Sequence, residues 1–317
     1  MNILVTGAAG FIGSHVAQAL LARGETVAGL DNFDTRYDPA RKRSNVALLT
    51  PNPRFTLYEA DIRNVKGIKR ICAEEKFDAI IHLAAMTGER YSIEHGPLYA
   101  EINVRGTVNM LEAARETGTP HFVFASSSSV YGRTGLLPFR EDDPLGRPLA
   151  PGPATKIAGE VIGHAYNNLF DISFTVLRIF SVYGPRGRPD MMPYHVTDCI
   201  VHEREFALYE AGNIYRDWTY IDDVVTGILK AMDHPQGYMI VNIGHGEPVR
   251  LSDFVKLIEK IVGKSARMNT SPAPANEPPI TYADIAKARD FLGYRATTPI
   301  AKGMPQFWEW YQAEILE

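Results

Sequence analysis

Thr6-Gly7-Ala8-Ala9-Gly10-Phe11-Ile12-Gly13 decides the fold. It follows the strand-like run Asn2-Ile3-Leu4-Val5 directly and opens a stretch, 11–23, whose apolar residues recur at helical spacing. In a strand–turn–helix of this kind the first glycine permits the tight turn and the second lets backbone N–H groups approach a pyrophosphate. The third lets helix pack closely on strand, and the helix N-terminus favours the anion. A glycine triplet alone carries little weight. Asp31 adds to it: this residue closes the next apolar run, eighteen residues beyond Gly13, where a carboxylate can accept hydrogen bonds from an adenosine ribose. Its charge would repel a 2′-phosphate, so the expected cofactor is NAD rather than NADP.

Outward from this turn, strand-like runs fall at 2–6, 26–31, 56–60, 79–84, 122–126 and 174–177, and helix-length segments at 11–23, 99–116 and 154–169. Gly24 and Gly118 stand where helices should stop. Ala79-Ile80-Ile81-His82-Leu83-Ala84 shows no alternation, which is how a strand covered on both faces reads. The expected architecture is α/β, a Rossmann-like doubly wound parallel sheet with a smaller discontinuous C-terminal substrate lobe. Residues 1–178 would form the NAD-binding domain, with 215–245 rejoining it through a helix at 221–232 and a strand near 239–243. Residues 179–214 and 246–317 would form the other lobe, with 271–279 as a proline-stiffened connection before two final helices.

Composition narrows the function. The 317 residues are 45% hydrophobic and 22% charged, ordinary for a folded chain, and 33 basic against 37 acidic side chains give a formal charge of -4. No broad positive field is available for nucleic acid or an anionic membrane. Two cysteines, Cys72 and Cys199, are too few for a disulfide framework or thiolate cluster. No basic-then-apolar leader opens the chain and no apolar run reaches the ~18 residues of a span, so a soluble cytoplasmic protein is expected. No His-Glu-x-x-His zinc spacing and no Gly-x-Ser-x-Gly elbow occurs.

Three further segments sit at strand ends, where ligands bind in open α/β sheets. Asp61-Ile62 follows the third strand, Leu83-Ala84-Ala85 ends the fourth with small residues, and Ser126-Ser127-Ser128-Ser129 ends the fifth with hydroxyls able to hold a sugar oxygen.

With these elements in order the chain resembles the extended short-chain dehydrogenases/reductases, and within them the NAD-dependent nucleotide-sugar epimerases, UDP-glucuronate 4-epimerases above all. The resemblance is carried by Asp31-Asn32-Phe33 with Tyr37-Asp38-Pro39, Arg90-Tyr91-Ser92-Ile93, the block from Val182 to Met191, and the block from Arg216 to Asp223. It implies NAD-dependent epimerisation at carbon 4 of a UDP-sugar, with the pyrophosphate held by Gly7, Gly10, Phe11, Ile12 and Gly13. The ribose would lie on Asp31 and Asn32, the adenine on Asp61 and Ile62, and the rest of the cofactor against Leu83, Ala84, Ala85 and Lys156. Thr87, Arg90, Ser126, Ser127, Ser128, Ser181, Arg188 and Arg216 would face the nucleotide sugar. A homodimer through 99–116 and 154–169 is implied as well.

One position departs from the family. Its Tyr-x-x-x-Lys would place a tyrosine four residues before Lys156, and here that residue is Gly152. A positioned acid–base group contributes roughly 10²–10⁴ in rate, so the proton must travel through water, through another side chain such as Glu89, or hardly at all. Glu89 stands in Met86-Thr87-Gly88-Glu89, where these epimerases usually show Gln-Ala-Gly-Val. Oxidative decarboxylation of the same sugar acid and a catalytically impaired binding protein stay open as alternatives. Ser128 and Ser129 stand where related 4,6-dehydratases carry an Asp-Glu pair, which argues against dehydration.

Overall fold

The computed structural model describes residues 1–316. Strands β1 (Asn2–Thr6), β2 (Thr26–Asp31), β3 (Phe55–Glu59), β4 (Ala79–His82), β5 (His121–Ser127) and β6 (Ser173–Ile179) build most of one sheet. Then come β7 (Ser181–Tyr183), β8 (Glu205–Tyr209) and β9 (Tyr215–Tyr220), after which β10 (Tyr238–Ile243) returns to the edge of that sheet. Its order is β10-β6-β5-β4-β1-β2-β3, with every pairing parallel. The order reverses at β1, which pairs with β2 on one side and β4 on the other, opening a crevice beyond the strands' carboxyl ends. Ile3, Leu4, Val5, Ile80 and Ile81 are fully buried, as their unbroken apolar runs require of a sheet covered on both faces.

The covering helices are α1 (Phe11–Ala22), α2 (Pro39–Ala47), α3 (Val65–Glu75), the short α4 (Glu89–Glu94) and α5 (Gly96–Tyr99), α6 (Gly106–Thr117), α7 (Pro151–Phe170), α8 (Met192–Val201) and α9 (Ile221–Asp233). Two boundaries differ from expectation for physical reasons. The expected helix over 99–116 is interrupted by a wide π turn, Ala100–Arg105, which carries Asn103, whose amide bonds both the N–H and the C=O of Met86. Helix α7 begins at Pro151 rather than 154, because a proline in the first turn forfeits only an N–H that has no helical partner anyway.

Residues 215–220 do not join the large sheet. As β9 they pair with β7, with β11 (Pro248–Arg250) and, after β12 (Arg267–Ser271), with β13 (Ile280–Thr281). β12 in turn pairs with β8. Helices α10 (Leu251–Val262), α11 (Ala286–Leu292) and α12 (Ile300–Tyr311) complete the second lobe, where Trp218 stacks on Phe254 at 4.7 Å. Among the described residues no helix is long and apolar enough to cross a membrane.

Candidate active site

The glycine turn is built as its spacing implies. Gly7 has φ +71, and a Cβ there would lie 2.9 Å from the Ala84 nitrogen. At Gly13 a Cβ would lie 2.0 Å from the Gly7 oxygen, whereas at Gly10 it would meet only that same oxygen, at 3.2 Å. Helix α1 starts at Gly10 with no side-chain cap and no acidic residue in its first turn, so its free N–H groups are left for an anion. Asp31 is fixed by N–H groups from Ala9 at 3.1 Å and Phe33 at 2.8 Å, with Lys42 Nζ 3.8 Å from it. These residues fit a dinucleotide with an unsubstituted ribose.

Asn32 donates to Asp61 at 2.9 Å. Arg63 grips the Asp61 carboxylate with contacts of 2.7 and 3.0 Å and, with lesser hydrogen bonds, holds its pKa down at about 2 against the cost of burial. Ile62 packs so tightly on Gly106 that a Cβ there would come within 2.5 Å of its Cδ1. Leu83, Ala84 and Ala85 line the same cavity, a continuous space of about 910 Å³ running from the glycine turn into the second lobe.

At the reacting end β5 delivers Ser127 and α7 delivers Lys156. The Ser127 oxygen accepts from the Ser129 N–H at 3.2 Å and the Ser129 hydroxyl at 2.9 Å, which leaves its own proton free to donate. Lys156 gives one N–H to the Ala125 carbonyl at 2.7 Å and keeps two. Burial pushes its pKa down to about 8, with Glu160 opposing weakly. Gly152 lies one helical turn before it and also lines the cavity. A Cβ on Gly152 would sit 3.2 Å from the Ser92 hydroxyl and 3.3 Å from the Tyr99 ring.

The substrate-side residues differ in their freedom. Ser128 and Ser181 line the cavity. Ser126 lines it as well, with its hydroxyl given to Glu160 at 2.5 Å. Arg188 holds Asp190 with both arms, at 3.0 and 2.6 Å, and also contacts Thr87. Arg216 is nearly buried, bonding Glu277 and the carbonyls of Tyr215 and Pro278, the latter two at 2.6 and 2.8 Å. Arg90 lies over the Tyr209 ring, 3.9 Å from Glu277. Lys42, Arg36, Asp190 and Glu277 also line the cavity, and sequence reasoning did not single them out. Arg36, Asp190 and Glu277 sit in aperiodic loops and Lys42 in the short helix α2, and the only available signal was charge near known motifs. Glu89 lines the cavity too; burial, then Glu277, raise its pKa to about 7 although Arg216 and Arg90 pull the other way.

A dinucleotide cradle at the sheet's switch point, with a serine and a lysine at its far end and a second lobe closing over them, defines a sugar-nucleotide short-chain dehydrogenase/reductase. The chain belongs to the NAD dependent epimerase/dehydratase family, whose model matches residues 3–244. It is 40% identical to UDP-glucuronate 4-epimerase 4 of Arabidopsis thaliana, over 98% of this chain and 75% of that relative. Protein CapI of Staphylococcus aureus is 35% identical, with 98% of each chain covered. Among solved structures, the UDP-glucuronic acid 4-epimerase of Bacillus cereus with UDP-glucuronic acid and NAD superposes with a TM-score of 0.93 at 36% identity, covering 99% of both chains.

Proposed function

We propose that the chain interconverts UDP-glucuronate and UDP-galacturonate by transient oxidation at carbon 4. The observation that carries this reading is the single cavity, about 910 Å³ in volume, joining the glycine turn, Ser127 and Lys156 to Arg216 in the second lobe. Its relatives support the sugar acid as substrate.

NAD, when bound, supplies a hydride acceptor beside carbon 4. The chain's own groups do the rest. The N-terminus of α1 neutralises the pyrophosphate, and Asp31 receives the ribose hydroxyls. The free Ser127 proton donates to the carbon-4 oxygen, steadying the charge that develops as its own proton leaves. The Lys156 ammonium fixes the nicotinamide ribose and adds positive charge beside that oxygen. Arg216, already preset by Glu277, meets the sugar-nucleotide diphosphate. The sugar ring turns over in the pocket between the two hydride transfers, so its uridine diphosphate end must be the anchored part.

Proton NMR of NAD-loaded protein with UDP-glucuronate tests the assignment. Galacturonate signals approaching equilibrium are the expected result; a UDP-pentose would make the reaction a decarboxylation, and unchanged substrate would leave a binding protein. We also assign the chain to the cytoplasm, since both cysteines are unpaired and buried. The same reading makes it a homodimer through α6 and α7, where Val161 and Leu169 stand exposed. Light scattering at twice the chain mass supports the dimer, and a monomer rejects it.

A further inference from the structure

Gly152 leaves the site without the phenol that would take the carbon-4 hydroxyl proton, so another group lining the cavity must take it. Its carboxylates are nearly all spoken for. Asp31 receives two backbone N–H groups, Asp61 is held by Arg63, Asp190 by Arg188 and Glu277 by Arg216. Tyr99 has its hydroxyl 2.7 Å from the carbonyls of both Thr87 and Gly88. Glu89 is the exception: among the described residues its carboxylate has neither a hydrogen bond nor an ion pair, yet it lines the cavity with Ser127, Lys156 and Gly152.

Its placement is set by its neighbours on the chain. Glu89 is the first residue of α4, turned into place by Gly88 at φ +103. The Ser92 hydroxyl donates to the Glu89 carbonyl at 2.6 Å, and that same hydroxyl is the atom nearest to where a Gly152 side chain would begin, at 3.2 Å. Glu89 and position 152 therefore flank one serine. The Tyr99 contacts pin the two peptides that precede Glu89, so the carboxylate is carried on a fixed base.

We propose that Glu89 is the proton-transfer residue of this site, serving in place of a tyrosine at position 152. This rests on the epimerase reading above. As the carbon-4 C–H bond breaks and its electron pair leaves as hydride for the oxidised nicotinamide, the hydroxyl O–H bond breaks toward the Glu89 carboxylate. The carbon–oxygen double bond forms, and Glu89 is left as the acid. Return of hydride to the opposite face takes the proton back from Glu89 and regenerates the carboxylate. The charged groups facing Glu89 are Glu277 and Arg216 from the second lobe and Arg90 beside it on α4. Burial and Glu277 outweigh Arg216 and Arg90, which places Glu89 at about 7, the range in which one group can both accept and return a proton. Oxidation needs the ionised form, so kcat/KM falls as pH drops below about 7.

The experiment compares NAD-loaded wild type, Glu89→Gln and Glu89→Gln with Gly152→Tyr on UDP-glucuronate, across about pH 5 to 9. A carbon-13 NMR titration of the labelled Glu89 carboxyl in substrate-free protein is run in parallel. Expected are a kcat loss of about 100-fold or more in Glu89→Gln with KM little changed, loss of the acid limb, recovery of turnover in the double variant, and a carboxyl midpoint near neutrality. Undiminished kcat in Glu89→Gln, a loss confined to KM, or a carboxyl that titrates in the ordinary glutamate range overturns the role of Glu89 while leaving the epimerase reading standing. No conversion by the wild type overturns both.

Discussion

Gly10 and Gly13 sit three residues apart on one turn and answer to different physics. A Cβ at Gly10 meets only the Gly7 oxygen, at 3.2 Å, a contact that a backbone shift of a few tenths of an ångström would relieve, but the methyl would occupy the face on which a pyrophosphate would lie. At Gly13 the same methyl would come 2.0 Å from the Gly7 oxygen, a distance no relaxation of one side chain can relieve. Gly10→Ala is therefore expected to unfold in urea within about 1 kcal/mol of wild type while NAD affinity, measured by calorimetry, falls at least about tenfold. Gly13→Ala is expected to lose several times that stability, about 3 kcal/mol or more, or to fail to fold. Equal unfolding midpoints for the two variants would contradict this division. The division was legible before any coordinates, because each glycine of a strand–turn–helix has a separate steric duty. That Gly152 is tightly flanked by Ser92 and Tyr99 was not, since those residues lie in short helices that carry no periodic signal.

At the scale of elements, α7 is tied to the sheet by charge as well as packing. Arg178 on β6 grips Glu160 on α7 with contacts of 3.1 and 2.8 Å, both side chains buried, and Ser126 on β5 adds its hydroxyl to the same carboxylate. Removing one partner strands the other charge in a poor solvent, which typically costs about 3–5 kcal/mol, whereas replacing both by apolar groups is often close to neutral. Glu160→Met is thus expected to lower the unfolding free energy by that amount, and Glu160→Met with Arg178→Met by clearly less; urea melts of the two variants decide it. Because α7 carries Lys156, the single variant should also lose turnover. The strands that frame this arrangement could be read from unbroken apolar runs such as the one at 79–84, and α7 from its three-and-four spacing. Arg216 to Glu277 and Asn103 to Met86 could not, for each joins a motif to a distant residue through geometry that only the folded chain supplies.

Three loops from the two lobes meet over the cavity at Asp190. Arg188 holds it from its own loop, Arg36 reaches it from the loop after β2 at 3.2 Å, and Arg188 also touches Thr87 beyond β4. Arg36 lies on the Tyr91 ring as well, 4.2 Å from its centre. Burial alone would raise the Asp190 pKa, but the Arg188 hydrogen bonds and charge, with Arg36 behind them, bring it below the usual value. A carboxylate whose folded pKa is depressed contributes stability above its unfolded pKa, about 3.9, and loses it only as pH falls through the lower folded value. The clasp is therefore closed throughout the range in which Glu89 titrates, and loss of turnover on going from pH 8 to pH 6 belongs to Glu89 at about 7 and not to opening of the cleft. Asp190→Ala separates the two effects. It is expected to speed amide exchange in residues 32–38 and 184–191 and to weaken NAD and UDP-glucuronate binding together, because on this reading both ligands would lie under the same loops, while the acid limb of kcat/KM keeps its midpoint. A midpoint that moves with Asp190→Ala would tie the limb to closure of the lobes instead of proton transfer at carbon 4.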